Sequence, residues 1–181
     1  MKQNVRIIGG KYRGKKLYFP EAPGLRPTPD RVRETLFNWL MHDIRGTRCL
    51  DAFAGSGALG FEAYSRGALK VTLIEQSPLV FANLCKNASA FNDPGISVVK
   101  ADACTYLCES KEQFDIVFLD PPFARDYLPQ CISLLAEKDI LIANGLLYVE
   151  SPVELELESK QWETVKLKRA GQVVYGLYRK C

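Results

Sequence analysis

The residues best suited to chemistry are Asp120-Pro121-Pro122-Phe123, which follow the apolar run Phe114-Asp115-Ile116-Val117-Phe118-Leu119. That run reads as a buried strand, so the tetrapeptide stands at a strand's carboxyl end, where open α/β sheets collect their ligands. Two consecutive prolines remove two backbone N–H donors and stiffen the turn, leaving carbonyl oxygens as its main-chain polar groups. One carboxylate, donor-free carbonyls and an aromatic ring make an acceptor-rich pocket with a stacking wall. An exocyclic amine on a planar base is the matching partner, since its two hydrogens need acceptors and its ring needs a flat apolar face. The lone pair of such an amine is delocalised into the ring, so the amine is a poor nucleophile. Asp120 and the Pro121 carbonyl would turn it toward an electrophile held about 3–3.5 Å away. The bland alternative is a rigid strand-to-helix loop.

A second run lies upstream. In Cys49-Leu50-Asp51-Ala52-Phe53 followed by Gly55, Gly57 and Gly60, a short strand leads into a glycine loop and then a helix. The G-x-G-x-x-G spacing lets the backbone turn sharply and approach a ligand at a helix N-terminus. The spacing alone is weak, but Glu75 ends the next strand, Val71–Glu75, where a carboxylate accepts hydrogen bonds from ribose hydroxyls. Together these predict a site for an adenosine-bearing cofactor.

Strands at 48–53, 70–75, 96–100, 114–119 and 146–150 alternate with helices at 57–66, 78–90, 103–108 and 127–136. Apolar strands between amphipathic helices predict a parallel sheet covered on both faces. Trp162–Leu167 and Val173–Tyr178 alternate around a glycine turn and predict a closing antiparallel hairpin. Ahead of this lies a linker, residues 24–29, and a helix from about residue 29 to His42 with Thr28 as its N-cap. The expected architecture is a Rossmann-like α/β domain over residues 25–181, preceded by a basic β-hairpin arm over residues 1–24.

The charge distribution separates the two parts. Residues 1–50 carry a net +7 and the remainder −4, which points to a polyanionic partner met by one end of the protein. Lys11, Tyr12, Arg13, Lys15 and Lys16 crowd one turn, a mixture suited to phosphates and to stacking on an unpaired base. Arg26, Arg31 and Arg33 are expected along the polyanion's route to the site. A solvated hairpin and ordinary surface charge are the competing readings. No apolar run reaches 18 residues and the basic N-terminus lacks a signal peptide's apolar region, so a cytoplasmic protein is expected. The six cysteines have no metal-ligand spacing and are expected to be reduced and buried, with no metal site.

These motifs carry a resemblance. RIIGGKYRGKKL at 6–17, RPTPDRVRETLFNWL at 26–40, LDAFAGSGALGFEA at 50–63, DIVFLDPPF at 115–123 and GQVVYGLYR at 171–179 together resemble the RsmD family of bacterial 16S rRNA guanine-N2 methyltransferases, from end to end of the chain. The resemblance implies a class I S-adenosyl-L-methionine-dependent methyltransferase with a seven-stranded, mostly parallel sheet. It implies transfer to N2 of a specific unpaired or flipped-out guanine, with S-adenosyl-L-homocysteine as the other product. By motif, Asp51, Phe53, Gly55, Ser56, Gly57, Ala58, Glu75 and Gln76 would surround the cofactor's ribose and methionine parts. Asp102, also readable as a helix N-cap, would meet the adenine beside Ala103. Asp120, Pro121 and Phe123 would be catalytic, with Pro122 on the substrate side. The partner would be 16S rRNA in the assembled or assembling small subunit, and a monomer is expected. An adenine-N6 methyltransferase shares the D-P-P-F run, a nicotinamide-dependent oxidoreductase shares the glycine loop and Glu75, and a binding module with a dead site stays open as well.

Overall fold

The computed structural model describes residues 3–123 and 126–181. Seven strands form one sheet: β3 (Arg48–Asp51), β4 (Lys70–Glu75), β5 (Ile96–Lys100), β6 (Phe114–Leu119), β7 (Leu141–Ser151), β8 (Trp162–Ala170) and β9 (Val173–Lys180). They lie in the order β5-β4-β3-β6-β7-β9-β8. From β5 to β7 every pairing is parallel, and β9 runs antiparallel between β7 and β8. The strand order reverses between β3 and β6, so the crevice for ligands falls at the carboxyl ends of that pair.

Alternation along the strands divides the core into two layers. Cys49, Ile116 and Phe118 face α1 (Asp30–Trp39), α2 (Ala58–Ser65) and α3 (Pro78–Ser89). Leu50, Val117 and Leu119 face α4 (Ala103–Glu109) and α5 (Leu128–Glu137). The expected helices and strands are present. β7 begins five residues before the expected strand because Leu141 still pairs with Phe114 across a bulge. Helix α1 ends at Trp39, three residues short of His42.

The N-terminal hairpin, β1 (Gln3–Arg6) against β2 (Lys16–Phe19), is fastened to the body. Its buried side chains Val5, Ile7, Leu17 and Phe19 belong to the same apolar cluster as α1, α2 and α3. Its backbone is held by Glu62, whose carboxylate accepts the N–H groups of Ile8 and Gly9 at 2.9 Å each. All six cysteines are free thiols. Cys49, Cys104 and Cys131 are buried as expected, whereas Cys108 and Cys181 are exposed and Cys85 is half-buried, because helix surface and strand end lie outside the apolar layers. Among the described residues no helix is long and apolar enough to cross a membrane, and no cluster of His, Cys, Asp and Glu suits a metal ion.

Candidate active site

Each of the five parallel strands delivers a carboxylate at or just beyond its carboxyl end: Asp51, Glu75, Asp102, Asp120 and Glu150 for β3, β4, β5, β6 and β7. Four of them, all but Asp102, line one open cleft of about 750 Å³. That volume suits a cofactor together with a base.

The glycine loop forms one wall. Gly55 and Gly57 have φ of +50° and +79°, a region closed to most side chains. Gly60 packs α2 onto the sheet, for a Cβ there would sit 2.2 Å from Leu73 Cδ2. Its N–H, left without a helical partner in the first turn, donates to Asp51 Oδ2 at 2.9 Å. Burial pushes the Asp51 carboxyl up to about 7 against the pull of that N–H. Glu75 ties the loop to the next turn, its two oxygens accepting from Gly55 N–H at 3.2 Å and Ser77 N–H at 2.7 Å. Ser56 Oγ accepts from Ala58 N–H at 3.3 Å. Phe53 leans on Tyr127 with ring centroids 5.2 Å apart, and the Gln76 amide donates to the Tyr127 hydroxyl at 3.4 Å. Ala103 lines the cleft. Asp102 does not: its Oδ1 caps α4 by accepting from Thr105 N–H at 2.9 Å, so the capping alternative is the one the structure displays.

Asp120, Pro121, Pro122 and Phe123 form the opposite wall. Pro121 is buried, and the Phe123 ring is 48% exposed, free to stack. Thr28 holds the carboxylate, its hydroxyl donating to Asp120 Oδ2 at 3.1 Å. This corrects the expected N-cap: helix α1 starts one residue later than anticipated, its cap residue Pro29 provides no side-chain hydrogen bond, and the threonine hydroxyl is spent on the site.

Glu150 was not anticipated as a site residue. It is buried, one residue past the in-register pair Leu119–Val149, so it stands beside Asp120. Tyr148 O–H donates to its Oε1 at 2.9 Å. Burial, and then the negative charge of Asp120, push the Glu150 carboxyl up, and burial pushes Asp120 up as well. An acid ending an apolar parallel strand was the very signal that singled out Glu75, and the run Leu146-Leu147-Tyr148-Val149-Glu150 carries it too. Gln172 and Val173, at the β8–β9 turn, and Leu25 and Arg26, on the strap between β2 and α1, also line the cleft.

Two of the expected substrate contacts are corrected. Arg33 is fully buried; it donates to the carbonyls of Arg6 and Thr28 and pairs with Asp30 and the buried Glu62, so it fastens arm, strap and α2 together. Tyr12 is no open stacking face, because its ring packs against Tyr64 and Phe91 at centroid distances of 6.1 and 4.8 Å. Lys15 Nζ is anchored on the Ala90 carbonyl at 2.9 Å, whereas Lys11, Arg13, Lys16, Arg26 and Arg31 are exposed. The basic turn lies at the C-terminal ends of α2 and α3, whose N-terminal ends border the cleft. The twelve residues of α3 put it about 18 Å away.

A family model described as "Conserved hypothetical protein 95" matches residues 5–179. The chain is 48% identical over 178 residues to Ribosomal RNA small subunit methyltransferase D of Escherichia coli K12, covering 97% of this chain and 90% of that protein. The protein of the same name from Haemophilus influenzae is 46% identical, with coverage of 98% and 95%. A solved structure from Escherichia coli superimposes with a TM-score of 0.89 at 47% identity, covering 98% of both chains.

Proposed function

The chain belongs to the family of ribosomal RNA small subunit methyltransferases D, and on that basis we propose that it methylates the exocyclic N2 of a specific unpaired or flipped-out guanine in 16S rRNA. The cofactor is S-adenosyl-L-methionine, which supplies a sulfonium-bound methyl group whose positive charge disappears on transfer. The cleft fits it chemically: Glu75 suits ribose hydroxyls, and Gly55 and Gly57 let the loop backbone approach the cofactor closely. Phe53, Gly55, Ser56, Gly57 and Ala58 would line its methionine and ribose part, with Gln76 and Ala103 beside them.

The observation that carries this reading is that one cleft joins Glu75 to Asp120-Pro121-Pro122-Phe123. In it Asp120 and the Pro121 carbonyl accept the two amine N–H bonds and aim the nitrogen, and Phe123 fixes the ring plane. Catalysis is chiefly positioning. The proton lost from nitrogen after transfer has the Asp120 carboxylate as its nearest acceptor. A base stacked within a duplex does not reach this cleft, so the target must be unpaired or extruded. Lys11, Arg13, Lys16, Arg26 and Arg31 contact phosphates, and the enzyme works as a cytoplasmic monomer on the assembled or assembling small subunit.

The deciding experiment is transfer of labelled methyl groups to small ribosomal subunits lacking the modification, with naked rRNA and DNA in parallel and nucleoside analysis of the products. Labelled N2-methylguanosine from the particle is the expected result. Label in N6-methyladenosine, or in DNA alone, overturns the substrate.

A further inference from the structure

Strand β8 ends the sheet, so one of its edges pairs with no other strand among the described residues. Toward its carboxyl end, residues 165–173 hold three cations, Lys166, Lys168 and Arg169, and no acid. The registers across β9 fix where they lie. Lys168 pairs with Tyr175, which pairs with Glu150, and Lys166 pairs with Leu177, which pairs with Tyr148. Lys168 is thus level with the wall of the cleft and two strand spacings, about 10 Å, from the backbone of Glu150. Directly paired residues point to one face of a sheet. Tyr175 and Leu177 belong to the apolar layer of α1, so Lys166 and Lys168 stand on that side, about 7 Å apart along the strand. Helix α1 reaches as far as Tyr175, on which Trp39 stacks at 5.5 Å, and beyond it both lysines are exposed. Among the described residues neither makes an ion pair. Acids nearby are engaged or turned away: Glu163 pairs with Arg179, and Glu154, Glu156 and Glu158 belong to a loop whose Leu155 and Leu157 pack on the opposite layer. At the end of the strand, Gln172 and Val173 already line the cleft. Lysines on an edge strand also block pairing with another copy. That duty sets no requirement for charge at the level of the cleft, nor for an acid-free stretch that runs into its lining.

We propose that the α1 side of β8 is a second RNA-binding surface, on which Lys166 and Lys168 hold backbone phosphates next to the nucleotide whose base enters the cleft. A lysine ammonium is a point charge with three donors, which suits a phosphate and reads no base. The surface and the basic turn of the arm grip the backbone at separate points, the turn at a distance and β8 beside the cleft. The inference deepens the proposed function, since it rests on an RNA strand delivering its base to this cleft.

Affinity for small ribosomal subunits lacking the modification, measured across a salt series, tests the surface. The double variant Lys166→Gln/Lys168→Gln should lower the salt slope by about 1.4, at roughly 0.7 per lost phosphate contact. Lys166→Arg/Lys168→Arg, which keeps both charges, should keep the wild-type slope. Lys111→Gln/Lys160→Gln removes the same charge from exposed positions just ahead of β6 and β8, at the sheet edge away from the cleft, and should also keep it. Affinity for S-adenosyl-L-methionine should be alike in all four proteins, which reports an intact fold. An unaltered slope in Lys166→Gln/Lys168→Gln overturns the proposal, and self-association of that variant with the slope unaltered would make the lysines guards of an open strand edge. An equal fall in Lys111→Gln/Lys160→Gln overturns it too, for the effect would then be one of net charge. Failure of the substrate reading shows elsewhere. Methyl on another base in nucleoside analysis, with the slope still lowered by Lys166→Gln/Lys168→Gln, would overturn the guanine assignment and leave this surface standing.

Discussion

Thr28 and Asp120 are 92 residues apart in the chain and joined by a 3.1 Å hydrogen bond. The bond fastens the strap that walls the cleft to the carboxylate on which the proposed reaction depends. Arg33 holds the same threonine from behind through its carbonyl at 3.2 Å, so the strap's last turn is fixed on both sides. The arm, strap and D-P-P-F wall therefore form one mechanical unit.

Asp120→Ala should leave S-adenosyl-L-methionine affinity nearly intact, because the glycine loop and Glu75 are untouched. Turnover should drop on the order of 10²-fold or more, the cost of losing orientation of the amine. Calorimetric binding beside single-turnover kinetics separates the two effects. An equal loss of cofactor affinity would remove Asp120 from the substrate side.

Glu75→Ala acts at the other end. It removes the acceptor proposed for ribose and also frees Gly55 N–H and Ser77 N–H. Losing charged hydrogen bonds of about 1.5–3 kcal/mol should weaken cofactor binding tenfold or more. Unchanged affinity in the same titration would sink the ribose assignment.

Arg33→Met should destabilise the protein by about 1.5–3 kcal/mol, because it takes from the buried Glu62 carboxylate one of its two guanidinium partners, leaving Arg66, and removes the donor that Arg33 offers to the carbonyls of Arg6 and Thr28. Arg31→Ala, at the surface, should change stability by less than about 0.5 kcal/mol. Chemical denaturation checks both. A normally stable Arg33→Met protein that has lost only RNA affinity would restore Arg33 to the substrate route.

Replacing Lys11, Arg13 and Lys16 by Gln should weaken binding to rRNA and lower its salt slope by about 2, at roughly 0.7 per lost phosphate contact. The target nucleotide should stay the same, since phosphate contacts position without reading sequence. Affinity measured across a salt series decides, and an unaltered slope would make the turn a solvated hairpin.

Asp51 gives the protein without cofactor a pH signature. Its carboxyl stands at about 7 in the fold, against 3.8 for the free side chain, so the folded state holds that proton more tightly than the unfolded chain does. The resulting stabilisation is complete below about pH 4 and is lost as pH rises toward 7. Thermal midpoints should therefore decline between pH 5 and pH 8 by less in Asp51→Asn than in the wild-type protein. Parallel curves would contradict the assignment.

The sheet and both walls of the cleft were legible because their signals are local. Gly55, Gly57 and Gly60 act through spacing, and Asp120-Pro121-Pro122-Phe123 through the chemistry of adjacent residues. Thr28 was misread for the same reason: beside Pro29 it looks like a cap, and its true partner lies across the domain. Arg33 sits in a basic segment and reads as surface, since no periodicity reveals that Glu62 waits inside α2. Glu150 carries a local signal as well, for it closes the apolar run Leu146–Val149 as Glu75 closes Val71–Ile74. The position of β9 between β7 and β8 is a long-range fact that a hairpin pattern does not encode.

The row of acids along the sheet's carboxyl edge makes the cleft a charge filter. On the proposed function, the basic turn, about 18 Å off along α3, would attract a nucleic-acid backbone from a distance. The cleft, with Glu75 and Asp120 on its walls, would repel the phosphates of that same backbone. An uncharged base projecting from a bent or looped strand meets no such barrier, and neither does a cation. Attraction at the periphery and rejection at the centre would together select for a nucleotide already turned outward, and the fold of the RNA would become part of what the proposed reaction reads.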